Sequence, residues 1–167
     1  DYHPDFADVL ARAQAAGITK IISIATDLDS SRRALALAEK HEMIYAAVGW
    51  HPSNAHEAPD DIRPAMRELA RHPKAVAIGE CGLDYYRLPS SQNGSVEEDV
   101  RYKQKQAEIF RQQLEVAVET GLNCVIHQRS SFDDLLGQIQ PFATKTRGVF
   151  HCFGESVERW QKILAAG

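Results

Sequence analysis

The chain has 167 residues, 44% of them hydrophobic and 25% charged, with a formal net charge of −4. This is ordinary composition for one soluble domain with a real core, and no apolar stretch approaches the ~18 residues of a membrane span. The acidic balance lacks the basic stripe of a protein that tracks long nucleic acid by counterion release, which leaves open action on a chain end or on a small phosphorylated molecule. The three cysteines, Cys81, Cys124 and Cys152, are odd in number and form no CxxC pair. That argues against a disulfide framework or a cysteine zinc site and points to a reduced, cytoplasmic setting with no membrane role. The opening DYHPDF has no initiator Met and no basic, apolar leader, so the expected natural start lies elsewhere.

In chain order, β-branched apolar runs alternate with helical patterns. A helix over 4–16 leads to the strand KIISIAT (20–26), and a helix over 29–42 leads to IYAAVGWH (44–51). A third helix over 59–72 precedes AVAIGE (75–80). The polar, turn-rich LPSSQNGSVEED (88–99) reads as an extended loop. Ala107, Phe110, Leu114, Ala117, Val118 and Gly121 recur at three- and four-residue spacing, which predicts a helix over 101–120. The strand NCVIH (123–127), a helix over 131–140, the strand GVFH (148–151) and a helix over 155–166 complete the series. Continuous apolar strands separated by helices predict right-handed βαβ units, a parallel sheet and an α/β fold. Glycine closes AQAAG (13–17), VETG (118–121) and LAAG (164–167). Both chain ends fall inside the repeating unit, so a piece of a longer α/β protein is expected.

Each strand delivers a polar residue at its C-terminal end: Thr26 and Asp27, His51, Glu80 with Asp84 beyond, His127, and His151. In parallel α/β folds that edge carries the chemistry. Period-two alternation puts Val125 with His127, Val149 with His151, and Val76 and Ile78 with Glu80, while the cysteines face the other way. One buried carboxylate among imidazoles suits Zn, Mn or Fe better than Ca. A lone strand-end histidine is more often structural; three in one chain favour a site. His3, His41, His56 and His72 lie in loops or near helix ends and receive no role.

Other chemistries are poorly served. Only one strand-end Glu is present, with Asp84 a weak second, so a glycosidase pair is missing. No GxSxG elbow, P-loop or GxGxxG follows a strand. Cys152 and His151 are adjacent on a strand and so are expected to point apart. Metal-assisted hydrolysis remains.

Taken together, VGWHP (48–52), AIGECGLDYY (77–86), QAEIFRQQLEVAVETGL (106–122), VIHQR (125–129) and GVFHCF (148–153) make the chain resemble the TatD family of metal-dependent deoxyribonucleases, within the amidohydrolase-like TIM barrels. The resemblance implies a single (β/α)8-type barrel domain, of which residues 1–167 supply about strands two to six. It implies divalent metal ions (Zn, Mn or Mg, two in the intact enzyme). Glu80 is then the catalytic, metal-bridging carboxylate, and His127 and His151 are metal ligands. His51 and Arg129 meet the phosphate of DNA or a small phosphodiester, Tyr85 and Tyr86 are candidates to stack on a base, and no obligate protein partner is implied. The family's N-terminal H-x-H and final Asp have no counterpart here, so weak metal binding and little or no nuclease activity are expected of these residues alone. Gln128–Ser130 and Gly154–Glu155 depart from the family pattern, and Glu155 puts an acid near a phosphate site. The rival readings are another hydrolase of the same superfamily (deaminase, lactonase or phosphotriesterase) and an inactive scaffold.

Overall fold

The structure is a computed structural model that describes residues 4–166, leaving His3 and the Gly167 helix-end signal outside the described residues. Five strands form one wholly parallel sheet in the order β1-β2-β3-β4-β5: β1 Ile21–Ile24, β2 Ile44–Val48, β3 Ala75–Asp84, β4 Asn123–Arg129 and β5 Gly148–Phe150. Each pair of consecutive strands is joined by a helix, which is the expected α/β alternation. The helices are α1 Phe6–Ala15, α2 Leu28–Lys40, α3 Arg63–Ala70, α4 Val96–Thr120, α5 Phe132–Ile139 and α6 Val157–Ala166. Sequential strand order with helical crossovers is the wall of a TIM-type barrel.

Local chemistry sets the helix limits. Asp27 caps α2 by accepting from Ser30 N at 2.6 Å, so this strand-end carboxylate serves the helix and not the site. Helix α4 starts earlier than expected, inside the segment read as loop. Ser95 accepts from Glu98 N while Glu98 accepts from Ser95 N, a capping box spelled S-V-E-E in the sequence. Gly121 ends α4 at φ +71°.

One sheet face packs on the helices: Val48, Ile78, Cys81, Leu83, Cys124 and Ile126 join Met66, Ile109, Phe110 and Leu114 in the main core. Ala47, Ala77 and Val125 form a small cluster on the opposite face. The alternation expected along AVAIGE fails at one point. Ile78 and Cys81 both face the helices, three residues apart, because the register of β3 against β4 shifts between them. After that shift Gly82 pairs with His127 and Asp84 with Arg129, so Glu80 aligns with Asp84 rather than with Ile78.

Glycine makes this crowding possible. A Cβ on Gly82 would lie 2.0 Å from His127 O, and the residue sits at φ +138°. Gly17, at φ +85°, has open space around it. Gly17→Ala is therefore expected to lower stability by about 1–2 kcal/mol through backbone conformation alone. Gly82→Ala must also separate β3 from β4, and its denaturant midpoint should fall well below that of Gly17→Ala.

Candidate metal and phosphate site

The site sits where β2, β3, β4 and β5 end. Strand β3 runs past its neighbour: its last pairing with β2 is Val48↔Ile78, yet it continues to Asp84. That overrun carries Glu80 and Asp84 into the mouth, where both are almost fully buried, at 9% and 5% exposure. Buried carboxylates need partners, and here the partners are imidazoles and a guanidinium.

Glu80 Oε1 lies 3.0 Å from His127 Nδ1 and 2.9 Å from His151 Nδ1. The other nitrogen of His127, Nε2, lies 3.0 Å from Asp84 Oδ2. Asp84 also receives Arg129, with Nη2 at 2.9 Å from Oδ2 and Nε at 3.2 and 3.1 Å from its two oxygens, and Tyr86 N at 3.0 Å. His51 stands edge-on to His127, ring centroids 4.5 Å apart, with its Nδ1 turned to Ser53, 2.7 Å from Oγ and 3.2 Å from N. One donor atom each from His51, Glu80 and His127 lies within 4.8 Å of the others.

The charges follow from these contacts. The bond to His127 holds the Glu80 carboxyl down to about 2 against the opposing effect of burial, with help from His151. For Asp84 burial pushes up, but His127, Arg129 and the Tyr86 amide together hold it well below the usual carboxylate range. Burial alone would lower His127; its two carboxylate bonds outweigh that and raise it to about 9. His51 is lowered, first by burial and then by the positive charge of His127. The site thus holds two ionised carboxylates against the protonated ring of His127.

All five residues expected from the sequence, His51, Glu80, His127, Arg129 and His151, come together here. The grouping differs in detail, since His51 shares the three-residue cluster with Glu80 and His127, while His151 reaches Glu80 alone. Asp84, read as a weak second carboxylate beyond the strand, is the residue that orients His127. The signal that would have found it is its parity with Glu80, along a strand expected to end at Glu80 that runs on to Asp84. His151 and Cys152 do not point apart: β5 ends at Phe150, Cys152 turns at φ +48°, and its Sγ lies 3.7 Å from His151 Nε2. Of the two tyrosines, Tyr85 packs against the core, while Tyr86 is exposed and lies under Arg129, 4.4 Å from guanidinium carbon to ring centre. A cleft of about 400 Å³ opens beside the cluster, lined by His51, Ser53, Asp84, Arg87, Tyr102, His127 and Arg129.

The donor set of two imidazoles and a carboxylate, with a further carboxylate on the far nitrogen of one imidazole, is the arrangement that holds a divalent metal ion in a fixed orientation. A profile of the family described as TatD related DNase matches residues 1–167. The chain belongs to this TatD family. It is 34% identical over 158 residues to a protein named uncharacterized metal-dependent hydrolase YabD, from Bacillus subtilis, covering 94% of this chain and 58% of that one. It is 34% identical over 164 residues to one named 3′-5′ ssDNA/RNA exonuclease TatD, from Enterobacter lignolyticus, covering 98% and 59%. The crystal structure of YjjV, a TatD homologue from Escherichia coli K12, superposes with a TM-score of 0.81 at 29% identity, covering 99% of this chain and 62% of that chain. The chain thus spans about three-fifths of the length of these TatD relatives.

Removing the central imidazole should be costly even without metal. His127→Ala strips one partner from each of two buried carboxylates, although Glu80 keeps His151 and Asp84 keeps Arg129. A loss of about 3 kcal/mol is expected in denaturant unfolding of the metal-free protein.

Proposed function

We propose that this chain carries the central part of a metal-dependent phosphodiesterase acting on single-stranded nucleic acid, DNA first, from an end. The observation that carries the reading is the convergence of His51, Glu80 and His127 at the strand-end mouth, with His151 reaching the same Glu80 oxygen as His127. The relatives named as metal-dependent hydrolases and as 3′-5′ ssDNA/RNA exonucleases support it. None of the relatives cited above carries a deaminase, lactonase or phosphotriesterase name, so those rivals gain no support from them.

Glu80, His127 and a second imidazole, from His51 or His151, would hold a divalent ion, Zn, Mn or Mg. When bound, such an ion polarises a phosphoryl oxygen and lowers the pKa of a water toward ~7. The chain's own groups do the rest. Asp84 accepts from His127 Nε2 and so leaves Nδ1 on the Glu80 side as the ligating nitrogen. Arg129 spends Nε and Nη2 on Asp84, which fixes the plane of its fork and leaves Nη1 for a phosphate oxygen. His51, with Nδ1 on Ser53, has Nε2 for either metal or phosphate. Exposed Arg87 extends the cationic wall of the cleft, which suits a second phosphate of the same strand. Tyr86, with the Arg129 guanidinium over one side of its ring, offers the other face for a base, and such stacking is tolerant of sequence.

The test joins metal binding to hydrolysis. Titration with Mn²⁺ or Zn²⁺ should show saturable binding that Glu80→Gln weakens by at least tenfold. In a protein that carries these residues within the full length of its TatD relatives, release of nucleotides from an end-labelled single-stranded oligonucleotide should require the metal and disappear in the same variant. Binding or hydrolysis unchanged in Glu80→Gln would refute the assignment. Arg87→Ala should raise KM for a pentanucleotide several-fold while leaving a chromogenic ester with one phosphate untouched.

A further inference from the structure

Three glutamines on α4 are buried to 1% exposure or less: Gln106, Gln112 and Gln113. Burying a carboxamide is unfavourable unless both its ends are bonded, and each of these spans a backbone N–H and a backbone C=O. Gln106 Oε1 accepts from Asp84 N at 2.8 Å, and its Nε2 donates to Asp84 O at 3.0 Å. Gln113 Oε1 accepts from Trp50 N at 2.7 Å, and its Nε2 donates to Trp50 O at 2.9 Å. Gln112 does the same for the turn before α3, accepting from Ile62 N at 2.8 Å and donating to Asp60 O at 2.6 Å.

The sheet explains why such clasps are needed. Alternate residues of a strand direct their peptide groups to opposite neighbours. Tyr85 N bonds to Arg129 O on the β4 side, so the N–H and C=O of Asp84 face the β2 side. Strand β2 has already ended at Val48, and among the described residues no strand is there to receive them. Trp50 lies two residues past the same end. Gln106 takes the place of the strand that stopped, and Gln113 holds the chain that continues past its end. They are seven residues apart, two turns along one helix face and about 10 Å along its axis.

We propose that Gln106 and Gln113 are positioning residues of the site, whereas Gln112 is structural only. Gln106 fixes the peptide that carries the Asp84 carboxylate, and through it the ring of His127. Gln113 fixes Trp50, and through it the next residue, His51. One rigid helix thereby sets the separation of groups borne by two different strand ends. The consequence for metal affinity rests on the metal-site reading above; the consequence for ring placement does not.

Gln112 supplies the control. Gln106→Met, Gln113→Met and Gln112→Met each remove one buried clasp of the same kind from the same helix, so their unfolding midpoints should fall by similar amounts. The ring ¹⁵N resonances of the metal-free chain should then separate them. Gln106→Met should move the His127 signals, Gln113→Met those of His51, and Gln112→Met neither. Zn²⁺ or Mn²⁺ affinity should fall about tenfold in the first two and stay unchanged in the third. If a Met variant does not fold, the corresponding Glu variant keeps the acceptor and loses the donor, and should displace the same signals less. Ring signals that stay put in the position 106 and 113 variants, or that move equally in Gln112→Met, would overturn the proposal. Displaced ring signals in a chain that binds no metal would uphold the positioning role and sink the metal reading alone.

Discussion

Two carboxylates buried within five residues of one strand govern this structure. Glu80 and Asp84 are held close enough to share one imidazole, His127, and each has one further cationic or imidazole partner, Arg129 for Asp84 and His151 for Glu80, that helps it stay charged in the interior. The glycines that let β3 press against β4, the register shift that turns both acids to the same face, and the arginine clamp on Asp84 all serve that arrangement. A cluster so tightly compensated has little stability to gain from being where it is. Its donor chemistry is that of a cation site.

The same overrun of β3 past β2 accounts for the architecture around the site. It leaves backbone groups on the flank of the strand that β2 no longer covers, and the buried Gln106 of α4 satisfies them. It lifts Arg129 and Tyr86 to the rim, where a cationic cleft begins beside the cluster. Helix α4 is therefore more than a crossover: its apolar stripe builds the core while its amides hold the mouth.

Much of this was legible in the sequence. Continuous apolar strands and glycine-closed helices were enough for the parallel α/β fold, because backbone pairing and burial act through local pattern. His51, Glu80, His127 and His151 were legible from one rule, that parallel strands place their C-terminal residues together, whereas Arg129 came only from the resemblance to the family. What stayed hidden depended on long-range geometry. The shift between Ile78 and Cys81 breaks simple alternation, so Glu80 reaches the mouth without sharing a face with Ile78, and Asp84 was undervalued because β3 runs on past Glu80. Asp27 looked like a fifth contributor, but a helix cap claims it. The S-V-E-E capping box was readable and marks a helix start inside what looked like loop. Cys152 meets His151 only because the chain turns after Phe150, which strand parity does not foresee.

The most direct test is anomalous diffraction from crystals loaded with Mn²⁺ or Zn²⁺. The account predicts an anomalous peak within bonding distance of Glu80 and His127 Nδ1, with His127 Nε2 still on Asp84 and His51 or His151 as a further ligand. A peak held elsewhere, by cysteine sulfur or by surface carboxylates, with the Glu80–His127–Asp84 set still closed on itself, would contradict it.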